Sequence, residues 1–127
     1  MGGKKSIMRV PLRAVALLFF VSASLAGADR VGRASWYGPG FFGRTMASGQ
    51  RYDRRRVFVA HKWLPFGARV KIMNLKNHHV LIAPVEDRGP YAGRCILDLS
   101  YAAAIRLGIV KAGVAHIAYE IMPRSDL

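Results

Sequence analysis

Hydrophobic and polar positions follow a strand-like rhythm along most of the chain. Arg69-Val70-Lys71-Ile72 alternates with the period of two that a half-buried strand requires. Val57-Phe58-Val59-Ala60 is a short continuous apolar run, which predicts a buried strand. Gly32 to Tyr37 predicts another, ending at the turn Gly38-Pro39-Gly40, with Phe41 and Phe42 behind it. Gly43 to Tyr52 is small and polar and reads as a loop, and Leu64-Pro65-Phe66-Gly67 reads as a turn. Asn74 to His79 predicts a hairpin connection, with Val80-Leu81-Ile82 starting the returning strand. Pro84 interrupts that strand and predicts an edge position or a bulge, because proline brings no amide hydrogen to a ladder. Asp87-Arg88-Gly89-Pro90 closes it with a sharp turn.

One helix is predicted, over Tyr101 to Leu107. It follows the strand-like Ile96-Leu97-Asp98-Leu99, and Asp98 or Ser100 can cap its free amides. Ala102-Ala103-Ala104 has high helix propensity, and Gly108 supplies the stop. A last strand is expected over Ala115 to Ile121. Short strands, one helix and Gly/Pro punctuation predict a mostly-β barrel, with no internal repeat.

The N-terminus breaks this rhythm. Lys4, Lys5, Arg9 and Arg13 precede an apolar run from Ala14 to Val21, and Ala26-Gly27-Ala28 has the small-x-small form of a cleavage site. A signal peptide over residues 1–28 is expected, with the mature domain over 29–127. The apolar run is shorter than the ~20 residues of a spanning helix. The alternative is an uncleaved amphipathic anchor. Leu25-Ala26-Gly27 is the stretch that precedes the acylated cysteine of bacterial lipoproteins, but Ala28 follows it, so an exported, soluble form in the periplasm or cell envelope is expected, with no transmembrane helix after cleavage.

Composition narrows the partners. The chain has 20 Lys and Arg against seven Asp and Glu. Four of the cations and none of the acids fall in the leader, so the mature domain carries sixteen against seven, an excess of nine. Such a domain is drawn to anionic polymers and surfaces, although charge alone also fits a merely solvated basic face such as Arg54-Arg55-Arg56. Cys95 is the single cysteine, which rules out an intramolecular disulfide and reads as a small buried hydrophobe. His78-His79 and the distant His116 lack metal-ligand spacing, so neither a metal nor a cofactor is expected.

Four segments carry the candidate chemistry. They are Ala34-Ser35-Trp36-Tyr37-Gly38; Thr45 through Asp53 (TMASGQRYD); Ala60-His61-Lys62 with Leu64-Pro65-Phe66-Gly67; and Asp87-Arg88-Gly89-Pro90-Tyr91 followed by Asp98-Leu99-Ser100. In this order and spacing, with Ala102-Ala103 and Leu107-Gly108, they resemble the rare lipoprotein A family over nearly the whole mature chain. The resemblance implies a six-stranded double-psi β-barrel with one short helix, a fold shared with expansins. It also implies an endolytic lytic transglycosylase that cleaves between N-acetylmuramic acid and N-acetylglucosamine in peptidoglycan glycan strands. The product is a 1,6-anhydro sugar, and the role is in wall remodelling and daughter-cell separation.

That reaction needs a carboxylic acid to protonate the leaving oxygen. The sugar's own 6-hydroxyl is the nucleophile, so no second carboxylate has to activate water. Asp87 is the candidate, placed where an apolar strand meets a rigid turn, and the resemblance implicates the matching aspartate in catalysis. Read from its residues alone, it is equally an Asx turn former. The resemblance brings His61 and Asp53 to the same site as catalytic neighbours. Taken alone, His61 is as readily a structural hydrogen-bonder, and Asp53 a solvated turn residue. Glu86 should point to the opposite face from Asp87.

Substrate contacts are expected from Gln50, Tyr37, Arg88, Tyr91 and Asp98, although Asp98 doubles as a candidate helix cap. Tyr37 and Tyr91 are candidate sugar-stacking aromatics, with Trp36 and Phe41 as further possibilities and core packing as the alternative for all four. Gln50 stands where the family commonly has glutamate, and an amide neither gives nor takes a catalytic proton. A non-catalytic peptidoglycan-binding module is therefore the first rival, and an exported scaffold docking other envelope or division proteins the second. Nucleic acid is not an expected partner, since no helix-turn-helix, RNA-binding or zinc-finger pattern accompanies the charge. The domain is expected to be a monomer.

Overall fold

The computed structural model describes residues 28–91 and 93–123. The expected leader lies outside these residues except for Ala28, so the signal-peptide and cleavage expectations fall outside the structure. Six strands form a closed barrel: β1 Arg30–Trp36, β2 Val59–Ala60, β3 Arg69–Asn74, β4 Val80–Asp87, β5 Cys95–Leu99 and β6 Val114–Ile121. One helix, α1 Tyr101–Leu107, lies between β5 and β6. Around the barrel the order is β1-β5-β2-β4-β3-β6, with β6 returning to β1. β1–β5 and β2–β4 are parallel, and the other four pairings are antiparallel. The expected mostly-β barrel with one helix is what forms. Closure leaves no unpaired edge.

Alternation decides which side chains go in. Val70, Ile72, Leu81, Ala83, Val85, Leu97, Leu99 and Ile117 fill the barrel, joined by Ala103, Ala104 and Leu107 from one face of α1. Cys95 is buried, as a small apolar residue would be. A second, smaller cluster lies under the long β1–β2 connection: Met46, Tyr52 and Phe58, with Tyr37 and Phe42 against them.

Of the two expected caps of α1, Ser100 is the one used, and the expectation for Pro84 needs correction. Ser100 Oγ accepts from the Ala103 amide at 3.2 Å. It also accepts from the Phe58 amide and donates to the Arg56 carbonyl, tying the helix start to the approach to β2. Pro84 does not interrupt its strand, because β4 runs through it to Asp87. Pro84 pairs with Arg69, whose carbonyl accepts from Met122 on the β6 side, so no amide of residue 84 is called for there. Pairing with β2 starts only at Val85. The proline stands where β4 exchanges one neighbour for the other.

Candidate active site

β2 is only two residues long, yet both its neighbours are registered on it. Val59 lies opposite Leu99 and Val85, all three buried in the core. Ala60 lies opposite Asp98 and Asp87. The β2–β4 register slips between Val59 and Ala60, so one step along β2 matches two along β4 and Glu86 is passed over. Successive residues of a strand point to opposite faces, and this slip puts Asp87 on the side of Ala60 and Asp98. Ser35 of β1 is paired with Asp98 and continues the row. Ser35, Asp98, Ala60 and Asp87 thus stand side by side on four adjacent strands. Two strand spacings put the backbones of the aspartates about 10 Å apart.

Asp87 is half-buried, and three donors hold its carboxylate. Oδ1 accepts from the amides of Ala47 at 3.0 Å and Arg88 at 2.9 Å, and Oδ2 accepts from the Tyr37 hydroxyl at 2.7 Å. A carboxylate offers about four acceptor positions, so one is left, on Oδ2. Asp98 accepts from Ser35 Oγ at 2.9 Å. Burial raises the pKa of Asp98 and so favours its neutral form; the Ser35 bond opposes this, and the nearby charge of Asp87 adds to it. Burial likewise pushes the Tyr37 phenol far up, with further pushes from the Asp87 bond and the charges of Asp87 and Asp98.

Glu86, on the other face, serves a different purpose. Its carboxylate accepts from Ser48 Oγ at 3.0 Å and lies 4.0 Å from the Arg56 guanidinium, and its carbonyl accepts from the Ser48 amide. With the Ala47–Asp87 bond, these contacts latch the loop 44–51 onto the end of β4. Gln50 sits in that loop, which is pinched by a bridge between Thr45 and Arg51. Its backbone bonds to Met46 and Ser48, and its side chain is exposed.

The remaining expected site residues are spread more widely. His61 is 3 % exposed. Its Nδ1 accepts from the amides of Trp63 and Leu64, both at 3.1 Å, which puts the ring proton on Nε2, 3.0 Å from the Tyr119 hydroxyl. Burial lowers its tendency to protonate, and the positive charges of Arg30, Arg88 and Lys62 lower it further. Its link to Asp87 runs through the backbone, the His61 amide donating to the Asp87 carbonyl at 3.1 Å. Arg88 turns inward: its guanidinium donates to the carbonyls of His61 and Leu64 and stacks 3.9 Å over the Phe66 ring. Asp53 is exposed, capping the Arg55 amide and pairing with that side chain at 3.8 Å, with no bond to Asp87. Tyr91, 83 % exposed, follows the cis Gly89–Pro90 bond. Trp36 donates to the Val110 carbonyl and packs against the core.

Three participants escaped the sequence reading. The Ala47 amide is a backbone group with no side-chain signature, 40 positions from Asp87. Ser35 and Ser48 lie within the candidate motifs, but a serine there signals no role of its own. Among the described residues, no group of three or more His, Cys, Asp and Glu is placed to hold a metal.

A family model described as lytic transglycolase matches residues 29–119. The chain belongs to the rare lipoprotein A (RlpA) family. It is 40 % identical over 124 residues to a Synechocystis protein named as a probable endolytic peptidoglycan transglycosylase RlpA, covering 96 % of this chain and 39 % of that one. A Neisseria meningitidis endolytic peptidoglycan transglycosylase RlpA is 46 % identical over 91 residues, covering 72 % of this chain and 38 % of its own. The chain thus spans about two fifths of the length of these relatives. Among solved structures, the apo expansin of Clavibacter michiganensis superposes with a TM-score of 0.59 at 25 % identity, over 74 % of this chain and 50 % of that one. The Streptomyces papain inhibitor superposes equally well, at 0.59 and 23 % identity, over 76 % and 97 %, and supports the fold alone. No helix among the described residues is long and apolar enough to cross a membrane.

Proposed function

We propose that this domain is an endolytic peptidoglycan lytic transglycosylase with Asp87 as its acid and then its base. The observation that carries the reading is the Asp87 carboxylate, fixed by three donors at the end of β4 with one acceptor position open on Oδ2. In the first step the proton on Oδ2 passes to the glycosidic oxygen, the C1–O bond of the muramic acid breaks, and positive charge develops at C1. The carboxylate then takes the proton of that sugar's 6-hydroxyl as O6 bonds to C1. Asp87 ends protonated again, no water is consumed, and the product is the 1,6-anhydro sugar. One carboxyl serves both steps, as the reaction requires.

The family relatives' names support this substrate, as does the net positive charge facing an anionic wall. The leader expected over residues 1–28 fits an enzyme working in the cell envelope. The exposed Gln50 favours the rival reading, a glycan-binding module with a disabled site, if a carboxylate at that place takes part in proton transfer.

Incubation with purified sacculi separates the two. We expect wild-type protein to release soluble anhydro-muropeptides, identified by mass. Gln50→Glu should change the rate by less than about tenfold if Asp87 suffices. Product from Gln50→Glu and none from wild type would establish the binder instead.

A further inference from the structure

We propose that Tyr37 is a positioning residue: its hydroxyl fixes the Asp87 carboxylate and confines the transferable proton to the open position on Oδ2. This rests on the reading of Asp87 as the acid–base group. It also replaces the expected sugar-stacking role of Tyr37 with a different one.

The Tyr37 ring is poorly placed as a stacking platform. Phe41, Tyr52 and Phe58 surround it edge to face, with centroids 5.2, 5.1 and 6.3 Å away. Its backbone is pinned at both ends. The Tyr37 amide donates to the Leu99 carbonyl at 3.0 Å, and its carbonyl accepts from the Tyr52 hydroxyl. Tyr52 is held in turn by the Tyr101 amide, at the start of α1, at 2.8 Å. A rigid strut therefore runs from the helix through Tyr52 to Tyr37 and ends on Asp87 Oδ2.

The chemistry follows from what each oxygen can accept. Oδ1 has both positions taken by the Ala47 and Arg88 amides, and Oδ2 has one taken by Tyr37. Without the Tyr37 hydroxyl, two positions on Oδ2 open, and the carboxyl can carry its proton in a direction that does not meet the glycosidic oxygen. The titratable and charged groups facing the phenol are Asp87 from β4, Asp98 from β5 and Tyr52 from the β1–β2 loop. Burial and these neighbours keep the phenol protonated, so it donates in both halves of the reaction. A hydroxyl donating to a carboxylate favours the charged form, so removing such a donor favours the neutral acid.

Tyr37→Phe removes the oxygen and keeps the ring packing. On sacculi, kcat should fall about 10- to 100-fold with KM changed by less than about twofold, as expected for a misplaced proton donor rather than a lost binding contact. The limb on which the rate falls with rising pH should move to higher pH, since the neutral carboxyl is relieved of one competing donor. In an Asp87→Asn background the same change should alter the residual rate by less than about twofold. A carbon-13 titration of the Asp87 carboxyl needs no activity, and its midpoint should rise by about half to one pH unit in Tyr37→Phe. A loss of glycan binding with kcat, pH profile and midpoint unmoved would overturn the proposal and restore stacking. Inactive wild-type protein with the midpoint still displaced would leave the positioning intact and sink the transglycosylase reading instead.

Discussion

His61 shows how much of a family site can be scaffold. Its two ring nitrogens serve two backbone amides and a buried tyrosine hydroxyl, and its own amide bonds the carbonyl of Asp87. The connection of His61 to Asp87 therefore runs through the backbone. Its folded state favours the neutral imidazole, below the ordinary value of 6.5. The unfolded chain thus takes up the proton first as pH falls, so this contribution to stability is complete above about pH 6.5 and is lost progressively below it. His61→Phe removes the titration and three hydrogen bonds. Urea midpoints should show it less stable at about pH 7.5 by about 2–4 kcal/mol, with a smaller further loss than wild type on going to about pH 5. Equal acid sensitivity in both proteins would place the titrating group elsewhere. The candidate role of Asp87 was legible because a strand-to-turn boundary and a quoted motif marked it. Tyr37 was marked as well, but as an aromatic ring: an aromatic next to a site motif says nothing about where its hydroxyl ends, here on Asp87 Oδ2.

At the level of elements, the helix was the most readable part of the chain, because its stop and start signals are local. Tyr101–Leu107 forms as expected, and Gly108 takes the left-handed conformation at φ 73° that ends it. Choosing Ser100 over Asp98 as the cap needed the third dimension. Asp98 is turned outward along β5 to meet Ser35. Ser100, fully buried, satisfies Ala103, Phe58 and Arg56 at once. Ser100→Ala takes the partner from the buried Phe58 amide and from the part-buried Arg56 carbonyl as well as uncapping the helix, and should cost about 2–3 kcal/mol in denaturant unfolding. A loss below about 0.5 kcal/mol would mean that water replaces the hydroxyl. Pro84 taught the opposite lesson. Its lack of an amide hydrogen predicts an interruption only if the strand keeps one partner, and β4 changes partners at that residue.

The whole molecule supplies what no segment contains. Ser35, Asp98, Ala60 and Asp87 come from strands far apart in the chain, and barrel closure with a slipped β2–β4 register sets them in one row. Alternation and turn residues were enough to expect a mostly-β barrel. The order of strands around it, and the slip that turns Asp87 away from the core, depend on long-range pairing that local pattern does not encode. The latch from loop 44–51 is likewise a product of closure, joining residues about 40 positions apart through a backbone amide. Under the function proposed above, this architecture holds the Asp87 carboxyl where a glycan can reach it. The direct measurement is the rate of anhydro-muropeptide release from sacculi by wild type and Asp87→Asn, compared at equal folded protein. Asparagine can keep the two amide bonds on its one oxygen, and its NH2 can donate to the Tyr37 hydroxyl oxygen in place of accepting from it, but it carries no transferable proton. The rate should fall by about 10²–10⁴-fold while glycan binding persists; an Asp87→Asn protein as fast as wild type would contradict the account.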